Sequence, residues 1–276
     1  MDMSKVFIGV GHGGADPGAV ANGIKESYAN LEVAKACADV LEAHGVDVML
    51  SRTSDITEDL TDRIRECNAF KPDLAADIHH NAGGGDGAEV YHAHSNTNDD
   101  ALAKNILDEI VKIGQNSRGL KTKLTSSGRD YFGFIRQVTC PSVLIECAFL
   151  DSKDVKIIDT PEERKKMGEA IAKGFLKTLG IAYTADHKKP ESINAKTFLP
   201  ARGYFKKGDV SPNVGKIAEF MRRVFPSYTD KKALGNTYGP YLIAAITEFQ
   251  RRTGLAPDGY FGPLTLAKLE KFGFKK

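Results

Sequence analysis

The chain has 276 residues, 41% of them hydrophobic and 27% charged, with a formal net charge of +2. This is the composition of a soluble globular protein with one large domain or two of ordinary size. It excludes a membrane-spanning protein, because no apolar run approaches the ~20 residues that a membrane helix needs. Residues 1–5 contain no basic segment followed by an apolar one, so we expect no secretory signal and synthesis in the cytoplasm.

Charge is distributed unevenly along the chain. Residues 201–276 carry 14 Lys+Arg and 6 Asp+Glu, a balance of +8, whereas residues 1–200 carry 24 and 30, a balance of −6. A basic carboxyl-terminal segment suits an anionic polymer such as nucleic acid or bacterial wall material, although a solvated basic surface explains the charge equally well. The cysteines form no C-x-x-C pair, which favours reduced, buried thiols: Cys37, Cys67, Cys140 and Cys147.

The first predicted element is a buried strand at residues 6–10, an apolar run rich in β-branched residues. Four glycines and a proline in residues 11–19 then forbid regular structure and predict a loop. His12 lies at the mouth of this loop with a glycine on each side. Small neighbours let a ligand or substrate approach the imidazole closely, which a core histidine does not need, so His12 is a candidate functional residue.

Strands and helices alternate through the rest of the first 180 residues. Apolar runs predict the strands, and apolar residues at helical spacing predict the helices. In chain order these are a helix from Glu26 to a stop at residues 44–45, a strand at 46–50, a helix from Leu60 to a stop at 71–72, strands at 74–78 and 88–93, a helix at 100–113, a strand at 142–145 and a helix at 161–179. The alternation favours an α/β fold with a mainly parallel sheet flanked by helices.

The remaining residues have a different pattern. Residues 181–200 lack periodicity and are predicted to be a linker. Residues 239–246 are echoed by residues 262–269, and each copy places a proline in the first helical turn and continues with an apolar stripe. We therefore predict a first domain at residues 1–180 and a small, mostly helical domain at residues 201–276.

Three predicted strands lead into side chains that bind metals or transfer protons, namely His12, His79 and Glu146. In an open α/β sheet, ligands bind in the crevice outside the carboxyl ends of the strands, and Glu26 at the start of the first helix could join them. Two imidazoles and one carboxylate would leave a zinc ion with an open position for water, whose pKa the metal lowers toward ~7. A further carboxylate near that water can pass its proton to a leaving amine, as amide hydrolysis requires.

Each of these residues also has a structural explanation. Glu26 could be an exposed acid favoured by the helix amino terminus. His79 and His80 could be a polar strand end, and because neighbours on a strand point to opposite faces, at most one of them faces a metal. Glu146 is harder to explain in this way, because burying a carboxylate without a partner or metal is unfavourable.

Two further histidines are rival ligands. His92 and His94 share one face of the strand predicted at residues 88–93 and its continuation. No glycine or carboxylate cluster adjoins them, unlike the surroundings of His12. We therefore expect His92 and His94 to be surface residues.

Residues 1–180 resemble the catalytic domain of the zinc-dependent N-acetylmuramoyl-L-alanine amidases of bacterial wall hydrolases and phage endolysins. The resemblance implies that His12, Glu26 and His79 bind one zinc ion and that Glu146 is the catalytic acid–base. The matching stretches follow in family order: residues 11–14 with Asp16 and 18–19, Glu26 with 30–31, and then 50–55, 78–82, 118–120 and 141–146 with 149–150.

The chain departs from the family pattern at two places. The second metal-binding histidine of the family is usually flanked by small residues, whereas here Asp77 lies two places before His79 and His80 follows it directly. His80 therefore stays an alternative to His79. The family usually has a glycine two residues after the catalytic glutamate, where this chain has Ala148, a mild change.

The carboxyl-terminal part resembles a small helical peptidoglycan-binding module, on residues 249–250, 254–255, 258–263 and Thr265. Together the two resemblances predict a peptidoglycan hydrolase that cleaves the amide between N-acetylmuramic acid and L-alanine with zinc-activated water. Its partner would be peptidoglycan or an anionic wall polymer, with no nucleic acid and no membrane insertion. A phage or prophage endolysin, released from the cytoplasm to the wall, and a mother-cell lysis enzyme both fit. A zinc peptidase, a deacetylase and a non-catalytic wall-binding protein are the alternatives.

Overall fold

The computed structural model describes residues 4–95, 97–185, 198–200 and 202–276. The chain divides into two units, Met1–Lys189 and Pro190–Lys276. The division falls in the predicted linker, of which residues 186–197 lie outside the described residues. The start of that segment packs on the first unit, because the Tyr183 ring stacks on His44 with ring centroids 5.3 Å apart. No helix of the described residues has the length and apolarity that crossing a bilayer requires.

The first unit contains the predicted strands and helices in the predicted order, together with elements that were not predicted. Its described strands are β1 (Lys5–Val10), β2 (Val20–Ala21), β3 (Ile24–Lys25), β4 (Asp47–Leu50), β5 (Leu74–Asn81), β6 (Ala88–His92), β7 (Ser117–Lys121) and β8 (Ser142–Phe149). Its described α-helices are α1 (Glu26–Ala43), α2 (Leu60–Phe70), α3 (Thr97–Lys112), α4 (Gly133–Gln137) and α5 (Pro161–Leu179). A 3₁₀ helix follows β8 at Lys153–Ile157.

Six strands form one sheet in the order β4-β1-β5-β8-β6-β7. Strands β4, β1, β5 and β8 are parallel, whereas β6 is antiparallel to β8. One face packs on α1 and α3, which α5 covers in turn, and the other face packs on α2 and α4. Alternation along β1 places Val6, Ile8 and Val10 in the larger core and Phe7 in the smaller one. The predicted α/β fold with a mainly parallel sheet is confirmed.

The structure differs from the predicted elements at several points. Strands β5 and β8 continue beyond residues 78 and 145, so His79 and Glu146 lie within the sheet and the predicted strand ends were too early. The hairpin of β2 and β3 was not predicted, because two-residue strands carry no periodicity. Strand β7 was missed because it is largely exposed at the sheet edge and has no apolar alternation.

Arg52, which follows β4, holds the glycine loop in place through hydrogen bonds to backbone carbonyl oxygens. Its side chain is fully buried and donates hydrogen bonds to the carbonyl oxygens of Val10, Gly11, Ser27 and Ser54, at 3.2, 3.0, 2.7 and 3.1 Å. These acceptors belong to the end of β1, the loop, α1 and the segment after β4. One guanidinium therefore joins four chain segments around the loop that carries His12.

We expect the substitution Arg52→Met to lower the free energy of unfolding by about 3 kcal/mol or more, because four carbonyl oxygens lose a charged donor. Activity should fall as well, because His12 directly follows Gly11. Urea unfolding of the full chain measures the first effect. The control is Arg65→Met, whose exposed guanidinium lies 2.7 Å from Asp62 and should contribute less than about 0.5 kcal/mol. Equal unfolding midpoints for the two variants would contradict the role given to Arg52.

The second unit is mostly helical in its described residues. Three α-helices lie wholly within the described residues from 202 onward, each with proline in its first turn, namely α6 (Pro212–Val224), α7 (Pro240–Arg252) and α8 (Pro263–Lys271). The two later helices match the predicted repeat, whereas α6 had not been predicted. Gln250 of α7 explains the polar motif between α7 and α8, because it accepts from the Gly259 amide and donates to the Tyr260 carbonyl and the Thr265 hydroxyl.

Candidate metal centre

His12, Glu26 and His79 come together at the carboxyl ends of the central strands β1 and β5. Their ligand atoms all lie within 4.8 Å of one another. His12 Nε2 lies 3.1 Å and His79 Nδ1 lies 3.0 Å from the same oxygen, Glu26 Oε1. His12 belongs to the loop after β1, Glu26 is the first residue of α1, and His79 is in β5. Three distant parts of the chain thus supply two nitrogens and one oxygen to a common point.

Glycines make room for these three side chains. A Cβ atom at Gly11 would collide with the His79 ring, and one at Gly18 would press on Glu26 and His12. Gly18 also has φ +64°, a conformation that other residues rarely adopt. His12 itself has φ 60°, in the left-handed region. The glycines predicted to give a ligand access to His12 therefore also let the site residues pack against one another.

Further polar groups orient the three side chains. His12 Nδ1 lies 2.7 Å from Asp16 Oδ2, on the ring edge opposite Glu26. Glu26 Oε2 accepts a hydrogen bond from the Ala19 amide at 3.0 Å. His79 Nε2 lies 3.4 Å from Asp77 Oδ2. Each of the three residues thus has a second partner, as is usual for metal ligands in proteins.

The local charges favour a cation. Burial would raise the pKa of the Glu26 carboxyl, but hydrogen bonds from His12 and His79 outweigh it and hold that pKa far below its usual range. Burial would lower the pKa of His79, but the Asp77 and Glu26 carboxylates raise it to about 10. The hydrogen bond with Glu26 raises the pKa of His12. Each imidazole must release a proton in order to bind a metal ion, and an ionised carboxylate between two such imidazoles is a donor set that fits one divalent zinc ion.

Glu146 lies beside this cluster on the neighbouring strand. It pairs in register with His79 of β5 and with Glu89 of β6, so the three side chains share one face of the sheet. Glu146 Oε2 is buried and has no hydrogen-bond partner among the described residues. Burial raises the pKa of the Glu146 carboxyl to about 7. A carboxyl that exchanges a proton near neutral pH is suited to general acid–base chemistry.

The structure separates His79 from the rival candidates His80, His92 and His94. The His80 side chain is buried away from the cluster, with Nδ1 2.7 Å from Asn30 Oδ1, and burial lowers its pKa to about 4. His92 Nδ1 lies 2.8 Å from Asp100 Oδ1, and His94 is exposed. None of these three belongs to the cluster of His12, Glu26 and His79.

Sequence reasoning missed a buried ionic chain behind His79. Arg63 of α2 lies 3.1 Å from Glu58 through Nε and 3.1 Å from both Asp77 carboxylate oxygens through Nη1. All three side chains are at most 8% exposed. Arg63 and Glu58 had no signal of their own, because charged residues are ordinary at the start of a helix. Asp77 was the available signal, as an acid inside an apolar strand run.

The fold and the site are together those of an α/β protein with a candidate metal centre at the carboxyl ends of its parallel strands. Residues 6–177 match the family described as N-acetylmuramoyl-L-alanine amidase, and residues 227–269 match the putative peptidoglycan binding domain. The chain belongs to the N-acetylmuramoyl-L-alanine amidase family. Both resemblances seen in the sequence are confirmed. Peptidoglycan is the substrate of the first domain and the ligand of the second.

Similar proteins include bacterial amidases and a phage enzyme. N-acetylmuramoyl-L-alanine amidase CwlM of Bacillus licheniformis is 34% identical over 188 residues, 66% of this chain and 72% of that protein. The endolysin of Bacillus phage SPP1 is 34% identical over 200 residues, 68% of this chain and 71% of that protein. Among solved structures, Cwp6 from Clostridium difficile has a TM-score of 0.63 at 34% identity, covering 64% of this chain and 30% of Cwp6. Amidase AmiC2 of Nostoc punctiforme has a TM-score of 0.59 at 30% identity, covering 64% of this chain and 97% of AmiC2.

Proposed function

We propose that this protein is a zinc-dependent hydrolase of the amide between N-acetylmuramic acid and L-alanine in peptidoglycan. The observation that carries the proposal is the position of Glu146. Its buried, unpartnered carboxyl oxygen lies on the strand next to His79, on the same face of the sheet. Membership of the amidase family supports the bond that is cleaved. The donor set of the His–Glu–His cluster supports zinc as the cofactor.

Each site residue has one task in the proposed reaction. His12, Glu26 and His79 would hold the zinc ion, which when bound polarises the scissile carbonyl and lowers the pKa of water toward ~7. The Glu146 carboxylate takes a proton from the attacking water and delivers it to the nitrogen of the leaving L-alanine. Asp16 holds the His12 ring through Nδ1 and leaves Nε2 directed at Glu26. A carboxyl with a pKa of about 7 can hold and release that proton near neutral pH.

The peptidoglycan-binding domain would keep the catalytic unit at its insoluble substrate, which raises the local concentration of cleavable bonds. The match to the phage SPP1 endolysin supports an endolysin, and the match to a sporulation-specific amidase of Bacillus subtilis supports mother-cell lysis. Synthesis in the cytoplasm followed by release to the wall stays a prediction.

Analysis of the products released from purified cell walls tests the proposed bond. We expect new amino-terminal alanine in proportion to the loss of turbidity, without new reducing sugar ends and without free acetate. Free acetate would instead identify a deacetylase, and other new amino termini would identify a peptidase. Wall binding without any product would identify a non-catalytic binding protein.

A further inference from the structure

The chain of Glu58, Arg63 and Asp77 ends on a residue of the candidate metal centre. Asp77 and Arg63 are 2% and 5% exposed in their side chains, and Asp77 Oδ2 reaches to 3.4 Å from His79 Nε2. Ionic groups buried to this degree are stable only when they are paired, and here each charge has an opposite neighbour. The three buried ionic side chains therefore connect His79 to α2.

We propose that Asp77 is a positioning residue, which fixes the His79 ring so that Nδ1, and not Nε2, is presented to the metal. The inference rests on the proposed zinc site. Asp77 lies against Nε2, whereas Nδ1 lies 3.0 Å from Glu26 Oε1 in the centre of the cluster. A carboxylate at Nε2 retains the proton on that nitrogen and leaves the Nδ1 lone pair for a metal ion.

Arg63 and Glu58 hold Asp77 in this position. Arg63 Nη1 contacts both oxygens of the Asp77 carboxylate at 3.1 Å, and Glu58 engages Arg63 through Nε. The strand beside them leaves space for the arrangement, because a Cβ atom at Gly9 would collide with Asp77 and press on Arg63. Asp77 therefore has little freedom to turn away from His79.

The two histidines of the cluster are held by opposite ring nitrogens. Asp16 lies at Nδ1 of His12 and leaves Nε2 to the cluster, whereas Asp77 lies at Nε2 of His79 and leaves Nδ1. Gly11 leaves room for the His79 ring, since a Cβ atom there would collide with it. The two histidines would therefore bind the metal through different ring nitrogens, His12 through Nε2 and His79 through Nδ1.

The first test uses the unmodified full chain loaded with one equivalent of Zn²⁺. Nitrogen-15 NMR of its histidine rings should show His79 bound through Nδ1, with a proton on Nε2, and His12 bound through Nε2. Ligation of His79 through Nε2 would overturn the role of Asp77 while leaving the zinc site intact. Failure of the unmodified protein to bind Zn²⁺ would overturn the proposed zinc site itself.

The second test compares Asp77→Asn with a matched control. An amide turned to satisfy Arg63 with its oxygen presents its NH₂ group to His79, which places the ring proton on Nδ1 and blocks the metal. We expect Asp77→Asn to weaken Zn²⁺ binding 10- to 100-fold in competition with a coloured chelator. The control is Asp99→Asn, because Asp99 is also 2% exposed but binds the Ser142 amide at the start of β8.

Unfolding of the metal-free variants in urea separates folding from metal positioning. Asp99→Asn should bind Zn²⁺ as the unmodified protein does, whatever its effect on the unfolding midpoint. Zinc affinity of Asp77→Asn within twofold of the unmodified protein would overturn the inference, and so would an equal loss of affinity in Asp99→Asn. If Asp77→Asn does not fold, the NMR result on the unmodified chain still decides.

Discussion

Replacing Glu146 by glutamine should lower the rate of peptidoglycan cleavage by about 10²- to 10⁴-fold, the usual contribution of a general acid–base group. Glutamine keeps the shape of the side chain but can neither accept the proton of water nor return it to the leaving amine. Zinc content and wall binding should stay unchanged, because Glu146 is outside the cluster of ligand atoms. The measurement is the release of amino-terminal alanine from purified walls. Wall clearing at the unmodified rate would show that another residue is the base.

The same substitution should stabilise the metal-free protein at high pH. The pKa of the Glu146 carboxyl is raised from 4.5 to about 7, so the folded state binds this proton more tightly than the unfolded state does. The resulting stabilisation is complete below pH 4.5 and is lost as the pH rises through about 7. Relative to the unmodified protein, Glu146→Gln should therefore gain about 1–3 kcal/mol in unfolding free energy between pH 4 and pH 8. Chemical unfolding at the two pH values measures the gain, and a difference independent of pH would contradict it.

Replacing Glu26, the proposed ligand that lies between the two histidines, should abolish zinc-dependent activity. A chelator should reduce cleavage by the unmodified chain to background, and added Zn²⁺ should recover it. The variant Glu26→Gln should bind zinc at least about 100-fold more weakly, a larger loss than replacing a residue that only contacts a ligand causes. Added Zn²⁺ should not restore its activity. The physical reason is that Glu26 Oε1 lies within 3.1 Å of both imidazoles.

Another glutamate of the same helix provides the control. Glu32 of α1 is 32% exposed and lies 3.6 Å from Arg164, so Glu32→Gln should retain zinc and activity. Retention of zinc by Glu26→Gln would remove Glu26 from the ligand set. Full activity of the chelated, metal-free protein would instead argue against zinc dependence.

Much of the fold could be predicted because it depends on local pattern. Helix α5 begins and ends at the predicted residues, because Thr160 forms a capping box with Glu163 and Gly180 ends the helix in the left-handed conformation. The convergence of His12, His79 and Glu146 follows from neighbouring parallel strands, because His12 follows β1 and because His79 and Glu146 pair in register near the carboxyl ends of β5 and β8. Strand β7 could not be found in this way, because an exposed edge strand has no apolar alternation to detect.

The buried polar contacts were beyond local pattern. Arg52 satisfies carbonyl oxygens up to 42 residues away, and Arg63 meets an aspartate 14 residues away. Such bonds depend on where the fold brings two segments, and nothing in the neighbouring sequence signals them. The unusual Asp77 and His80 are likewise explained only by the fold. Asp77 pairs with Arg63, and His80 occupies the opposite face beside Asn30.

The hydrogen bonds that hold the glycine loop affect how the proposed zinc ion would bind. Besides Arg52, the Asp55 carboxylate and the Thr57 hydroxyl accept hydrogen bonds from the Gly14 and Ala15 amides. These bonds shape the loop with protein groups alone, so little conformational entropy remains to be lost when an ion arrives. The metal-free protein should then stay folded and bind the ion again reversibly. In this it would differ from small domains that unfold when zinc is removed.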